Sequence, residues 1–535
     1  MISLLDCTLR DGGYINDWEF GYDNIINIFE RLVDSRVDVI EVGFLDERRC
    51  FDINRTIMPN TESLNKIFSH LDKKNVSVIA MIDYGTCGIQ NIQPCENTFI
   101  DGIRVIFKKH LREPAMAFCS QLKSLGYKVY AQLVSVTSYN DAELMDLVRI
   151  ANEVEPYAVS MVDTYGLMHQ NNLMHYFDLL NENLKPNISI GYHGHNNFQM
   201  GYANCISMIS RSVLVNRNLL VDGTIFGMGK SAGNAPIELI MMHLNRIGQK
   251  QYDISQVLEA ADSSIMQFYQ SATWGYNLFY YIAALNNCHP NYVMHLLNKH
   301  TLSIKSVNDI LSNLSVEKAL LFDENYIESL YLDYQKNEVN DEKAVEEFYR
   351  IIQDRNILIL GPGVKIEESK IFIDRYIDSN KPVIIALNRI DEQVKEDFIF
   401  LCNPKRYLQL TSQLSHNNHR IIATSNLIKT GKNDFDFVIN YERLLENAPI
   451  VADSATIMVL KLLAKSNCRE IALACLDGYT NAVSVEFSKE KGADQIVNIS
   501  DYINEYIMNF IESIDNKVIR FLTKSKFFRN ENEKV

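Results

Sequence analysis

Met1 to Tyr14 reads MISLLDCTLRDGGY. A short apolar run, Ile2 to Leu5, gives way at once to Asp6, Thr8, Arg10 and Asp11, and Gly12-Gly13 then lets the backbone turn sharply. The pattern is that of a strand delivering charge to its C-terminal end. A carboxylate in that place can hold a cation, and a guanidinium, always charged, can stabilise negative charge as it develops. A surface Arg–Asp ion pair at a strand end would use the same residues. A second apolar run, Ile188 to Tyr192, leads into His193-Gly194-His195-Asn196-Asn197. In extended backbone alternate side chains share a face, so His193 and His195 can point at one spot. Two imidazoles and one carboxylate suit a divalent metal with positions left for a substrate.

Working outward, β-rich runs alternate with amphipathic segments through the first half of the chain. Strands are expected at Ser3 to Cys7, Val37 to Phe44, Ser77 to Asp83, Gly102 to Phe107, Lys128 to Val136, Ala158 to Asp163, Ile188 to His193 and Leu219 to Phe226. Helical spacing of apolar residues appears between them, as at Asn24 to Val33, Glu113 to Leu125, Asp141 to Val154 and Asn171 to Leu180. The alternation suits a closed parallel (β/α)8 barrel, and equally a doubly wound open sheet. In a barrel the ends of the strands would gather Asp11, Glu41, Asp83, Asp163 and the two histidines on one rim.

Ile40-Glu41-Val42-Gly43, Asp163-Thr164-Tyr165-Gly166, HGHNN and Gly227-Met228-Gly229-Lys230-Ser231-Ala232-Gly233-Asn234 follow LRDGG in the order seen in the DRE-TIM metallolyases. That superfamily includes 4-hydroxy-2-oxovalerate aldolase, hydroxymethylglutaryl-CoA lyase, isopropylmalate synthase and homocitrate synthase. The resemblance covers about the first 245 residues. Gly233 to Glu238, GNAPIE, is most similar to the aldolase branch.

The resemblance implies a TIM barrel and a metal-dependent aldolase or carbon–carbon lyase. Its substrate would be a 4-hydroxy-2-oxo acid, made from or cleaved to an aldehyde and a 2-oxo acid such as pyruvate through a metal-stabilised enolate. It makes Asp11, His193 and His195 metal ligands, with Asn234 a further ligand or a donor beside them, and places Arg10 at the enolate oxygen. Mn²⁺ or Mg²⁺ suits mixed oxygen and imidazole ligands, with Zn²⁺ or Co²⁺ as alternatives. The hydroxyvalerate aldolases have a histidine where this chain has Tyr14, so Tyr14 is either the proton-transfer group or a hydrogen-bond donor beside another group or a metal-bound water that moves the proton. Glu41 is expected to orient Arg10 or a metal-bound water. Arg104, Gln132 and Thr164 are candidates for contact with substrate, Arg104 either through a substrate carboxylate or as one half of a structural ion pair. A Claisen-type acyltransferase joining an acyl-CoA to a 2-oxo acid, or a non-catalytic metal- or ligand-binding scaffold, would use much of the same constellation.

The chain has 535 residues, long enough for two or three domains. Four segments are expected: a barrel over 1–245, a helical extension and linker over 246–351, a Rossmann-like α/β domain over 352–520, and a charged tail over 521–535. In the aldolases a helical region follows the barrel and contacts a partner dehydrogenase; here packing or homo-oligomerisation is the expectation. The second domain shows strand-like runs at Asn356 to Leu360, Val383 to Leu387, Phe398 to Leu401, Arg420 to Thr424, Phe435 to Ile439, Ile471 to Leu476 and Gln495 to Ile499. Gly361-Pro362-Gly363 after its first run can cradle a phosphate, with Asn388 and Asp477 after later runs, though neither G-x-G-x-x-G nor the Walker A lysine is present. In layout it resembles hydroxymethylpterin diphosphokinase-like nucleotide-binding domains, which implies a nucleotide or phosphate ligand, and its fusion to the barrel suggests a substrate carried on a nucleotide, such as a nucleotide-sugar.

Lys and Arg number 52 against 67 Asp and Glu, a net charge of −15 that disfavours nucleic acid or anionic membranes as partners. Ten scattered cysteines, without C-x-x-C, read as reduced thiols of a cytoplasmic protein. There is no basic leader with an apolar core, and no apolar run approaches the roughly 20 residues that cross a bilayer.

Overall fold

The computed structural model describes residues 1–299, 301–319, 321–363, 366–390, 393–416, 419–430, 435–448, 451–479 and 499–528. They divide into two compact units, Met1–Asn287 and Cys288–Val535.

The first unit is a closed barrel. Its strands are β1 (Ile2–Asp6), β2 (Val39–Leu45), β3 (Ser77–Asp83), β4 (Gly102–Phe107), β5 (Lys128–Leu133), β6 (Ala158–Asp163), β7 (Ser189–Gly194) and β8 (Leu219–Gly223). All pair in parallel, each with its neighbours in sequence, and β1 pairs with both β2 and β8, which closes the ring. Closure removes the edges an open sheet would expose, and decides between the two architectures the alternation allowed. A two-residue strand, Ile57–Met58, lies alongside β2 outside the ring.

Alternation along the strands sorts side chains to two sides. Leu4, Ile40, Val78 and Val221 belong to the large core shared with the helices. Leu5, Cys7, Val39, Ile79, Tyr130, Ala158 and Leu220 form a separate cluster inside the barrel. Two residues further along the same strands the interior turns polar: Glu41 follows Val39, Gln132 follows Tyr130, Ser160 follows Ala158 and Asp222 follows Leu220, all buried. Gly102 holds the equivalent place on β4, two residues before Arg104, because a Cβ there would sit 2.6 Å from Lys128 O and 3.0 Å from the Tyr130 ring. The barrel is thus plugged by apolar side chains at one end and lined by buried polar groups at the other.

Helices follow seven of the eight strands, at Tyr22–Asp34, Thr61–Phe68, Arg112–Ser124, Asp141–Val154, Gln170–Asn183, Gly201–Val215 and Ile237–Arg246. Between β3 and β4 there are only single 3₁₀ turns, Ile89–Asn91 and Cys95–Asn97, in a stretch broken by Gly85, Gly88 and Pro94. The start of Asp141–Val154 is set by a capping box between Asn140 and Glu143.

The helical region expected over 246–351 is divided between the units. Ile254–Ala260, a π turn at Ala261–Ile265, Met266–Ser271 and Leu278–Leu285 fall in the first unit; Pro290–Asn298, Ile304–Leu311, Glu324–Gln335 and Glu342–Ile352 fall in the second.

The second unit carries a parallel sheet of β9 (Asn356–Leu360), β10 (Val383–Leu387), β11 (Phe398–Leu401), β12 (Ile421–Thr424), β13 (Phe437–Ile439), β14 (Glu470–Ala474) and β15 (Val518–Phe521). Their spatial order is β13-β12-β11-β10-β9-β14-β15, with the direction of winding reversing between β9 and β14. Apart from Ile499, the run expected at Gln495 to Ile499 lies outside the described residues, and Ile499 begins the helix Ile499–Glu512. β15 lies outside the expected strands: its run is only four residues, with Ile519 and Phe521 half-buried against the core and Val518 and Arg520 exposed at the sheet's edge. Among the described residues no helix is long and apolar enough to cross a membrane.

Candidate metal centre

After β1 the backbone enters one helical turn, Thr8–Asp11. Asp11 N donates to Cys7 O at 2.7 Å and Gly12 N to Thr8 O at 2.9 Å. Gly12 sits in the ordinary right-handed region, φ −58°, so conformational freedom is not why it is glycine. A Cβ on Gly12 would lie 2.4 Å from Thr8 O, and one on Gly13 would lie 2.0 Å from the Trp18 ring. The two glycines let Trp18 close against the turn, where its Nε1 donates to Arg10 O at 2.7 Å.

Asp11, His193 and His195 converge, with ligand atoms all within 4.8 Å of one another and all three residues buried. The imidazole planes are 85° apart. His193 Nδ1 is engaged by Asp222 Oδ2 at 3.0 Å and His195 Nδ1 by Asp163 O at 3.2 Å. Both Nε2 atoms are buried without a partner. His195 Nε2 lies 3.6 Å from Asp11 Oδ2. Asn234 Nδ2 donates to Asp11 Oδ2 at 2.5 Å, while its Oδ1 is buried and unpartnered. Two nitrogens held by their far sides, beside a carboxylate and an orphaned amide oxygen, are what a divalent cation needs. The residues present therefore fit a metal ion.

A string of buried charges backs this centre. Asp11 Oδ1 accepts from Arg10 Nη1 at 2.5 Å, and Arg10 Nε donates to Glu41 Oε2 at 2.7 Å. Glu41 Oε2 also accepts from Arg104 Nη1 at 3.2 Å, and Arg104 Nη2 donates to Asp222 Oδ2 at 2.5 Å, which returns the chain to His193. Burial opposes ionisation of Asp11, but Arg10, His195 and His193 hold its carboxyl well below the usual range. Burial likewise opposes the Asp222 charge, which Arg104 and His193 keep below its ordinary value. Burial lowers His193, despite Asp222, in the direction of the neutral imidazole that a metal ligand must be. Burial raises Asp163 to about 6 against backbone N–H donors from Met168 and Leu167.

The structure thus brings Arg10, Asp11, Glu41, His193, His195 and Asn234 together. Arg104 is fully buried, with its guanidinium on Glu41 and Asp222, so it supports the centre from inside the barrel rather than meeting a substrate carboxylate. Gln132 is buried opposite Ser160 in register; Gln132 Nε2 and Ser160 Oγ both lack partners. Thr164 is half-buried and its hydroxyl accepts from Ser135 N at 2.9 Å, a loop contact at the left-handed Ser135. Tyr14, three residues beyond Asp11, is 43% exposed, packs edge-on against Trp18, and has Lys230 Nζ 5.1 Å from its ring centroid.

Sequence reasoning passed over Asp222, Ser160 and Lys230. Asp222 interrupts an apolar run at the end of the last strand, as Asp163 ends the sixth, and that interruption was the available signal. Asn196 and Asn197 hold loops: Asn196 N donates to Gly233 O and Asn197 Oδ1 accepts from Ala232 N, which fixes the glycine-rich segment over the histidines.

In the second unit Gly361, Gly363 and Asp477 meet at the reversal between β9 and β14. The amides there are already engaged: Gly361 N donates to Ala474 O at 2.8 Å and Gly363 N to Cys475 O at 2.9 Å. A Cβ on Gly363 would lie 2.5 Å from Cys475 O and 2.6 Å from Asp477 Oδ2. These glycines serve close loop packing, and neither N–H is offered to a phosphate. Asn388 Oδ1 accepts from Cys402 N at 3.2 Å, tying β10 to β11.

The HMGL-like family model matches residues 1–263. The 4-hydroxy-2-oxovalerate aldolase of Shewanella woodyi is 22% identical over 274 residues, 51% of this chain and 79% of that protein. The oxaloacetate decarboxylase of Mycobacterium tuberculosis is 24% identical over 274 residues, 49% of this chain and 76% of that protein. Among solved structures, the HMG-CoA lyase of Bacillus subtilis is 16% identical and covers 50% of this chain and 93% of its own, at a TM-score of 0.41. Residues 1–263 are an HMGL-like domain of the DRE-TIM kind.

Proposed function

We propose that the barrel is a divalent-metal-dependent aldolase, forming or cleaving a 4-hydroxy-2-oxo acid from a 2-oxo acid such as pyruvate and an aldehyde. The observation that carries the reading is the pair of orphaned Nε2 atoms beside Asp11, with Arg10 locked next to them. Asp11, His193 and His195 would hold the ion, Mn²⁺ or Mg²⁺ by donor type, with Asn234 Oδ1 as a further oxygen. When bound, the ion supplies Lewis-acid polarisation of the 2-oxo group.

The chain's own residues do the rest. Arg10 uses Nε on Glu41 and Nη1 on Asp11, so its fork is immobilised and its charge is presented with no reorganisation to the oxygen that becomes anionic as the carbon–carbon bond breaks. Glu41 and Arg104 keep Arg10 in that orientation. Tyr14 Oη is the atom assigned to remove the proton from the substrate hydroxyl and to return it in the condensing direction, by its place on the turn beyond Asp11. A second reading, decarboxylation of a 2-oxo dicarboxylic acid, is favoured by the decarboxylase relative and needs the same enolate stabilisation, with carbon dioxide leaving in place of an aldehyde.

The test is pyruvate enolisation, which needs no knowledge of the aldehyde. Mn²⁺-loaded protein in deuterated water is expected to exchange the pyruvate methyl protons, read by NMR, and Asp11→Asn to abolish the exchange. Metal shown to be bound without any exchange refutes the proposal for pyruvate.

A further inference from the structure

Lys230 is the residue in this region that the proposed chemistry leaves without a task. It is half-buried, on the loop that also delivers Asn234, and its main-chain N donates to Asp11 Oδ2 at 3.2 Å. Its ammonium lies over the Tyr14 ring and has no carboxylate at ion-pair distance among the described residues. Of the other cations nearby, Lys108 is exposed and likewise outside any ion pair among the described residues, whereas three are paired. Arg10 and Arg104 are each held by two carboxylates, and Arg48 is paired with Asp46 at 2.6 Å. Burial raises Asp83 on this rim, and of the cations acting on it Lys108 acts most and Lys230 least.

The charge count around the centre shows what Lys230 is waiting for. Arg10 and Arg104 stand against the carboxylates of Asp11, Glu41 and Asp222, which leaves one net negative charge among these paired groups. A divalent ion turns that into one positive charge, and the carboxylate of a 2-oxo acid neutralises it. Asp163 has its own pair of backbone donors. The ammonium of Lys230 is then a positive charge at the mouth outside these pairs, half withdrawn from water and available to a second anion.

We infer that Lys230 sets specificity by binding a second anionic group, carried on the substrate beyond its 2-oxo acid head. The substrate is a 2-oxo acid with a distal carboxylate or phosphate. This inference rests on the proposed 2-oxo acid chemistry and adds the substrate's second charge to it.

The test uses ligands that cannot undergo retro-aldol cleavage because they lack a 4-hydroxyl: 2-oxopentanoate, 2-oxoglutarate and 2-oxo-4-phosphonobutanoate, which differ only in ending on methyl, carboxylate or phosphonate. Their affinities for Mn²⁺-loaded protein are measured by calorimetry. One or both dianions are expected to bind about tenfold or more tightly than 2-oxopentanoate, and the tighter arm identifies the distal group. Lys230→Met is expected to bring the ratio to about one, and Lys230→Arg to keep it. The Mn²⁺ affinity of each variant, read by electron paramagnetic resonance, checks that the centre is intact, since the contact with Asp11 is through the main chain. Equal affinities in the wild-type protein, or a preference that survives in Lys230→Met, overturn the inference. Pyruvate exchange with no dianion preference would remove Lys230's role alone, whereas absence of both would remove the 2-oxo acid reading with it.

Discussion

Replacing Asp222 by asparagine tests whether the buried charges behind the metal centre act as one unit. The carboxylate takes Arg104 Nη2 at 2.5 Å and His193 Nδ1 at 3.0 Å on the same oxygen. The asparagine removes its charge and leaves Arg104, fully buried, with the 3.2 Å contact to Glu41 as its one remaining ion pair among the described residues. Removing one partner of a buried ion pair costs about 3–5 kcal/mol, and the remaining Glu41 contact places the expected loss near the lower end. His193 also loses the charged, acceptor-only partner that fixes its Nδ1–H tautomer and turns Nε2 toward Asp11, because an amide can present its NH₂ there as readily as its oxygen. Loss of such support weakens metal binding by roughly 10–100-fold, or about 1.4–2.7 kcal/mol. Free Mn²⁺ measured by electron paramagnetic resonance gives the second quantity and urea unfolding of the metal-free protein gives the first. The double variant Arg104→Met/Asp222→Asn should recover part of the stability, because the uncompensated charge is gone, but none of the metal affinity. Asp222→Asn binding Mn²⁺ as tightly as the wild type would refute the reasoning, since His193 would then be shown to need no orienting carboxylate.

Two further outcomes can be checked separately. A Cβ on Gly229 would lie 2.0 Å from Asn234 Nδ2 and 2.5 Å from Asp11 Oδ2; Gly229→Ala is therefore expected to lower Mn²⁺ affinity by about tenfold or more while leaving the far-ultraviolet circular dichroism unchanged, and normal affinity would show that the loop is not held against the ligands. Burial pushes the Asp6 carboxyl up to about 7, against hydrogen bonds from the Thr8 backbone and hydroxyl. The folded value lies above that of an unfolded aspartate, so the folded state holds the proton: the group's contribution is full below about pH 4 and is lost as pH rises through 7, about 4 kcal/mol in all. The stability difference between wild type and Asp6→Asn, from urea unfolding, should fall by that order between pH 4 and 7, and a difference independent of pH would show that Asp6 is not buried as described.

Much of this protein is local and could be read along the chain. Strand periodicity repeats every two residues, so β3, β4 and β6 begin and end where the apolar runs do, and the capping box at Asn140 marks its helix. Asp11, His193 and His195 could be grouped from the sequence because each lies at or beyond the C-terminal end of a strand, and parallel strands put such residues on one rim. The rest depended on contacts between distant residues. Closure of the ring pairs Leu5 with Asp222 and brings that aspartate of the last strand across the interior to an arginine of the fourth, while the histidine of the neighbouring seventh strand meets it by direct strand pairing. The third helix is absent because glycines and a proline break the run, yet the barrel closes without it. In the second unit the glycines look like a phosphate loop along the chain, but the neighbouring strand takes their amides. A sequence states which groups a segment carries. Whether a donor is free, a charge is surplus or a glycine is required is decided by the segment packed against it, and that segment is supplied by the tertiary structure.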